Sequence, residues 1–398
     1  MAERDHRVRF LAPRSEAPRI RRQLLSAAGP SRRAFLTGVG LAGLAGLAGL
    51  SACGQTGRMA SSPPADGEIE AKLNLYSWGD YDDPEIISEF SDTAGVRVQV
   101  DSYGSNDELM AKLAGTRGTS GYDIVVPTGS RVQQMIEHDL IQPLDLTRIP
   151  NFANMDPNFT HQEFDPENRY SICKAWGTTG YVYDRTVIDR ELTSWQDFID
   201  AAGKEASGST AILEDPWELT AIALASMGED VNTVDEAILE KAKTIVVDDI
   251  APHVRAYMGN AAQGMTQGGL SLLHAFNGDA RQGLLESDDP DRWQFVFPTP
   301  VANLWMDNWC LATGAPHPDA AYAFINHMIS PDAALRNVDY IGYHVGTQGL
   351  KEEAADFDFP DIIFPEQEIL DRLVPSEEGA GIQPRVEIYT AAQTRSSA

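Results

Sequence analysis

Tyr122-Asp123-Ile124-Val125-Val126-Pro127 is a short β-branched run closed by proline. An apolar run of this length without polar alternation suits a strand buried on both faces of a parallel sheet. Upstream, Lys72-Leu73-Asn74-Leu75-Tyr76-Ser77-Trp78 alternates as a strand does, and Asp83-Pro84 supplies an N-cap and a first-turn proline for a helix through Phe90. Val96 to Val100 reads as a second strand, and Asn106 as the cap of a helix carrying Leu109, Met110 and Leu113. Downstream, Ser194 opens a helix at Trp195, Thr210 to Leu213 is strand-like, and Glu218 to Met227 is helical. Leu270 to Ala275 and Trp293 to Val296 read as strands, and Asp319 to Ile329 as a helix offering Tyr322, Phe324, Ile325 and Met328 to a core. Alternating strands and helices predict an α/β fold, with no internal repeat.

Ahead of this body stands a different kind of sequence. Arg32-Arg33 followed by Phe35-Leu36 resembles the twin-arginine export motif, and Leu50-Ser51-Ala52-Cys53 resembles the lipobox of bacterial lipoproteins. The intervening run, Val39 to Ala52, has a glycine at every third position from Gly40 and falls short of the ~20 residues that span a bilayer. It therefore reads as a cleaved signal, with the mature chain starting at Cys53. Acylation at Cys53 predicts a protein held on the outer face of the cell membrane, or in the periplasm, without crossing the bilayer. Gly54 to about Gly67 is small, polar and rich in proline and glycine, the composition of a tether.

With 398 residues and a pI near 4.5, the chain has the length for two lobes. Residues 1–52 hold nine arginines, no lysine and the three acids Glu3, Asp5 and Glu16; taking these from the chain's 31 basic and 59 acidic residues leaves 22 against 56, a net −34. That balance excludes nucleic acid, which needs a basic footprint, and favours cationic ligands. Apart from Cys53 the cysteines are Cys173 and Cys310, with no Cys-x-x-Cys or Cys/His cluster, so no metal site or cofactor is expected. No Gly-x-Ser-x-Gly, His-Glu-x-x-His, phosphate loop or post-strand Gly-x-Gly-x-x-Gly occurs, so no catalytic residues are assigned. An extracellular hydrolase remains the reading from another class, to be exposed by turnover on a substrate panel.

An aromatic beside a carboxylate recurs at predicted strand ends: Trp78-Gly79-Asp80-Tyr81, Asp215-Pro216-Trp217-Glu218 and Trp305-Met306-Asp307. In α/β sheets ligands gather at the carboxyl ends of strands, so these positions are expected to converge. Ring faces attract ammonium groups and carboxylates give them charge-assisted hydrogen bonds.

Together with Tyr103-Gly104-Ser105-Asn106-Asp107-Glu108-Leu109-Met110, Tyr122 to Pro127 and Ile341-Gly342-Tyr343, these strings resemble the spermidine/putrescine-binding proteins of bacterial ABC importers, in order from about Leu73 to Ile388. The resemblance implies a two-lobed periplasmic-binding-protein fold of type II, with hinge crossovers and a ligand cleft between the lobes. It divides the body into 71–178 plus 306–350 and 179–305 plus 351–398, behind the signal at 1–52 and the tether at 53–70. It also implies a polyamine ligand, permease subunits as membrane partners, and a monomer. Carried over residue by residue, Trp78, Tyr81, Trp305 and Tyr343 match ligand-stacking aromatics, and Asp80, Asp215, Glu218 and Asp307 match acidic or ligand-proximal positions. Thr128 matches an amine-binding hydroxyl, Asp279 an acid of putrescine-selective members, and Phe276 stands where tryptophan is usual. Ser130 stands where spermidine binders carry an aromatic, and Trp217 where a basic or small residue is common, so the ligand could also be another cationic or amino-bearing solute, opine-like or derived from an amino acid. Tyr340 and Tyr343 are not the adjacent pair of a ferric-ion receptor. In the implied fold the strands carrying Cys173 and Cys310 are sheet neighbours, which puts the two thiols within reach of a disulfide.

Overall fold

The computed structural model describes residues 59–377 and 381–397; the export motif and Cys53 lie outside them. Among the described residues eleven strands form one mixed sheet: β1 (Lys72–Trp78), β2 (Arg97–Tyr103), β3 (Ile124–Val125), β4 (Ile141–Gln142), β5 (Ser171–Asp184), β6 (Thr210–Leu213), β7 (Val254–Met258), β8 (Leu272–Phe276), β9 (Trp293–Val296), β10 (Ala302–Ala312) and β11 (Leu373–Pro375). The main path runs β2-β1-β3-β10-β5-β8-β6-β7, with β4 and β11 paired to β10 and β9 to β5. β1 lies parallel between β2 and β3, and Leu73, Leu75, Ile124 and Val125 are fully buried there. The expected strands and helices are present, with β1 buried on both faces where its alternation suggested one.

β5 joins two halves of an α/β fold. All of its residues are buried; Ser171 to Thr178 pair with β10, and Thr179 to Asp184 pair with β8 and β9. One core gathers Leu73, Leu75, Ile124, Trp309 and Phe324, and another Tyr181, Phe198, Ile222, Leu224 and Leu272, as a two-lobed fold requires. Helix starts are capped by short acceptors. Asp83 accepts from Glu85 N at 2.8 Å, and Ser194 with Asp197 forms a reciprocal capping box.

Three expectations are revised. Ser105, not Asn106, caps the helix Asn106–Thr116, because the Asn106 side chain is engaged with Thr128. The segment from Ala60, read as tether, is laid on the body. Ala60 N donates to Arg117 O at 3.0 Å, Gln142 Nε2 to Ser62 Oγ at 2.6 Å, and the Asp66 and Gly67 amides to Asp319 at 2.8 and 3.0 Å. Its backbone presses on Gly118, at φ +79°, where a Cβ would come within 2.7 Å of Ala60 O. Finally, Cys173 and Cys310 are both free and buried. Their strands are neighbours, but the register sets Cys173 against Asn308 and Cys310 against Ser171. Such diagonal positions lie ~7–8 Å apart, beyond disulfide reach.

Candidate functional site

The carboxyl ends of β1 and β3 and the middle of antiparallel β10 meet at one place. Thr128 follows β3, caps the helix Gly129–Glu137 and forms an antiparallel bridge with Asp307. Its hydroxyl makes no capping bond; it donates to Asp307 Oδ1 at 2.7 Å and accepts from Asn106 Nδ2 at 3.0 Å. The Thr128 amide donates to Asn106 Oδ1 at 3.1 Å, so hydroxyl and carboxylate are held from behind. Asp307 is 6 % exposed. Burial pushes its carboxyl up to about 6, against the lowering effects of Thr128, Tyr81 and the Lys174 charge. The Tyr81 hydroxyl faces the same carboxylate without completing a hydrogen bond of good geometry.

A second carboxylate comes from the other half of the sheet. Asp279 lies in the first turn of the helix Asn277–Glu286, which follows β8 directly, and accepts from Tyr343 Oη at 2.9 Å. Burial raises it to about 6 as well, opposed by the Tyr343 and Ala261 hydrogen bonds. A series of rings links the two, Tyr81 beside Asp307 and Tyr343 bonded to Asp279, and continues to Trp305 and Phe276. Tyr81 and Tyr343 centroids are 6.1 Å apart, Tyr343 and Trp305 4.8 Å, and Trp305 and Phe276 5.7 Å, each pair near edge-to-face. Two glycines make room for them: a Cβ on Gly177 would stand 2.4 Å from the Trp305 ring, and one on Gly278 2.4 Å from Tyr343. Trp78 is half-buried, packs on Tyr103 at 4.7 Å and donates Nε1 to Val126 O at 3.0 Å.

The third acidic group is tied into the fold more firmly. Glu218 is buried, its Oε1 accepting from Thr179 Oγ1 at 2.7 Å and Asn303 Nδ2 at 2.6 Å. Asp215 caps the helix Pro216–Ser226, accepting from Trp217 N at 2.7 Å and Glu218 N at 3.0 Å. Burial raises its carboxyl, against those two hydrogen bonds and the charges of Arg131 and Arg385. Trp217 is a packing residue of the second core, 2 % exposed. Ser130 is partly buried in the first turn of the helix Gly129–Glu137. Asp80 stands apart: it is exposed, at φ +52°, and no hydrogen bond among the described residues links it to the cluster. Asp82, two residues on, is buried and paired with Lys174 Nζ at 3.0 Å, a pair that sequence reasoning missed. A charged residue inside the otherwise apolar Ile172–Trp176 stretch was the available signal.

Around the cluster, Tyr81 Oη, Trp305 Nε1, Thr178 Oγ1 and Asn303 Oδ1 are buried without a hydrogen-bond partner among the described residues. Four such atoms in one region call for a polar guest. No three metal-binding side chains gather among the described residues. A surface hollow of about 660 Å³ beside Tyr183, Arg190, Phe297 and Arg372 holds none of these groups.

Residues 85–357 match the bacterial extracellular solute-binding protein family. The chain belongs to that family. The spermidine/putrescine-binding periplasmic protein of Escherichia coli is 31 % identical over 273 residues, covering 68 % of this chain and 76 % of that protein. The putrescine/cadaverine-binding protein of Pseudomonas aeruginosa is 28 % identical over 320 residues, covering 77 % and 88 %. Among solved structures, the spermidine/putrescine ABC transporter substrate-binding protein of Streptococcus pneumoniae superposes with a TM-score of 0.71 at 29 % identity, over 82 % of this chain and all of that one. A lipoprotein of Treponema pallidum gives 0.73 at 25 % identity, over 81 % and 99 %. Family membership makes this an extracellular solute-binding protein with the two-lobed fold.

Proposed function

We propose that the cleft binds a polyamine between Asp307 and Asp279 and presents it to the permease of an ABC importer. One observation carries the reading: the buried carboxyl of Asp307 and the partly buried one of Asp279, both raised to about 6 by desolvation, stand along one series of aromatic rings. A buried carboxylate is costly unless paired, and an ammonium at each end supplies the pairing. The methylene chain between them lies on ring faces, and Tyr81 and Trp305 supply the polar atoms described above. The binding specificities in the names of the relatives agree with this chemistry. In this reading Trp305, Tyr343 and Phe276 form the box, Trp78 its lip, Thr128 and Ser130 the hydroxyl side, and Glu218 with Asp215 the far wall. The protein binds and delivers; it does not catalyse.

We assign 71–178 plus 306–350 to one lobe and 179–305 plus 351–398 to the other, with Ala354, Ile363 and Phe364 of the second range contributing to the first core. The mature monomer is anchored through Cys53 after twin-arginine export. Calorimetry of the protein lacking its signal, with putrescine, cadaverine, spermidine, spermine and basic amino acids, tests the reading. Micromolar or tighter polyamine binding is expected; tighter binding of an amino acid would replace the polyamine by another amino-bearing solute. Replacing Cys53 by Ser should abolish partitioning into detergent, and unchanged partitioning and mass would refute lipidation.

A further inference from the structure

Beneath a site built for cations lies a cation of the protein's own. Lys174 has no side-chain exposure. It is the extra residue of a β-bulge: Asp307 of β10 faces Ala175, Asn308 faces Cys173, and Lys174 between them has no partner across the ladder. Bulges beside binding sites re-aim side chains, and this one directs an ammonium under Tyr81. Nζ donates to Tyr81 O at 2.7 Å, lies 3.0 Å from Asp82 Oδ1, and stands 4.0 Å from the Tyr81 ring centroid and 4.8 Å from the Trp309 ring. The other oxygen of Asp82 accepts from Ser77 Oγ at 2.9 Å, so Asp82 is held to Lys174 and is not among the carboxylates a ligand meets.

We propose that Lys174 is a charge-selectivity determinant of the cleft, disfavouring ligands that bring more than one ammonium to the Asp307 end. The inference rests on the polyamine reading above. A ring that already carries an ammonium on one face is a poorer acceptor for a second cation, because both draw on the same quadrupole. Asp82 offsets much of the Lys174 charge at longer range, so the effect on a second cation is a short-range one, exerted through the Tyr81 ring that both would share. A diamine places one ammonium at Asp307 and the other toward Asp279. A triamine has a further ammonium to seat along the same rings, the first of which Lys174 already occupies on one face.

Calorimetric titration of putrescine and spermidine tests this. The parent protein should bind putrescine more tightly than spermidine; the reverse order overturns the proposal. Lys174→Met with Asp82→Asn removes the pair without stranding a buried charge. Lys174→Gln removes the cation but keeps a donor for Asp82 and the Tyr81 carbonyl. Each variant should raise the spermidine-to-putrescine affinity ratio about tenfold, whereas Lys174→Arg should keep the parent's ratio. A merely structural role would weaken both ligands together, and an unchanged ratio in folded variants overturns the selectivity claim. If the parent binds neither polyamine, the functional reading fails instead, and the two failures are told apart by that first titration.

Discussion

Asp307 does most to define the site and was among the most legible residues, because Trp305-Met306-Asp307 belongs to a recognisable string. Its partner Thr128 was legible for the same reason. Lys174 and Asp82 were not, since their pairing depends on a bulge that no local pattern announces. Asp307→Asn keeps the shape and removes the charge, so polyamine affinity should fall by ~2–5 kcal/mol. Trp305→Ala should weaken binding through lost ring contact, and unchanged titrations for both variants would place the site elsewhere. Below about 6 both Asp307 and Asp279 carry protons and offer an ammonium no ion pair. Affinity should therefore decline as pH falls from about 7 to about 5, and binding near pH 6 should release protons. Calorimetry in buffers of different ionisation enthalpy reads that release; an affinity flat across this range contradicts it. In the ligand-free fold the sign reverses. The Asp307 carboxyl is raised from 3.8 to about 6, so its ionisation opposes folding above that value and not below ~4. A shift of ~2 units corresponds to roughly 3 kcal/mol, a relief that melting curves between pH 7 and 4 should show, small beside other titrations but removed in Asp307→Asn.

Strands and helices were readable wherever periodicity or a cap marked them: the Asp83-Pro84 start, the Ser194 box and the run at Ile124 all stand where their residues put them. What sequence did not reveal was register, which is a property of two strands at once. The two cysteines show this, since strand adjacency was right and alignment excludes a bridge. Thiol titration of the denatured, unreduced body carrying Cys53→Ser should find two reactive groups, and none would restore the disulfide. The same limit applies to close packing. No local pattern marks Gly278, yet Tyr343 lies against it, so Gly278→Ala should push that ring off its place beside Trp305. We expect at least a tenfold loss of ligand affinity with little change in far-ultraviolet dichroism; parent-like binding would show that the ring moves freely.

At the level of the molecule, the helix Asn277–Glu286 reaches across to Pro331–Ile341: buried Arg281 donates to Asp339 Oδ1 at 2.8 Å, to Asp339 O at 2.9 Å and to Asp358 O at 2.8 Å. Under the proposed lobe division the Asp339 bonds cross between the lobes, and we expect them to latch the lobes when they close on ligand. Arg281→Met should lower ligand affinity and expand the liganded protein in small-angle scattering; an unchanged radius of gyration with ligand would remove the latch. The strip from Ala60 to Glu70 has a different consequence. It is pinned at Arg117, Gln142 and Asp319, and Glu70 Oε2 accepts from Ala320 N at 2.7 Å. Whatever path the residues between Cys53 and Met59 take, full extension limits them to ~20 Å; were the strip peeled away to Lys72, the limit would be ~65 Å. With Cys53 acylated as proposed, the pinned strip would work as a mooring line hauled short. It would set the radius of the zone above the bilayer that one receptor patrols, and with it the effective concentration at which a loaded receptor meets its permease.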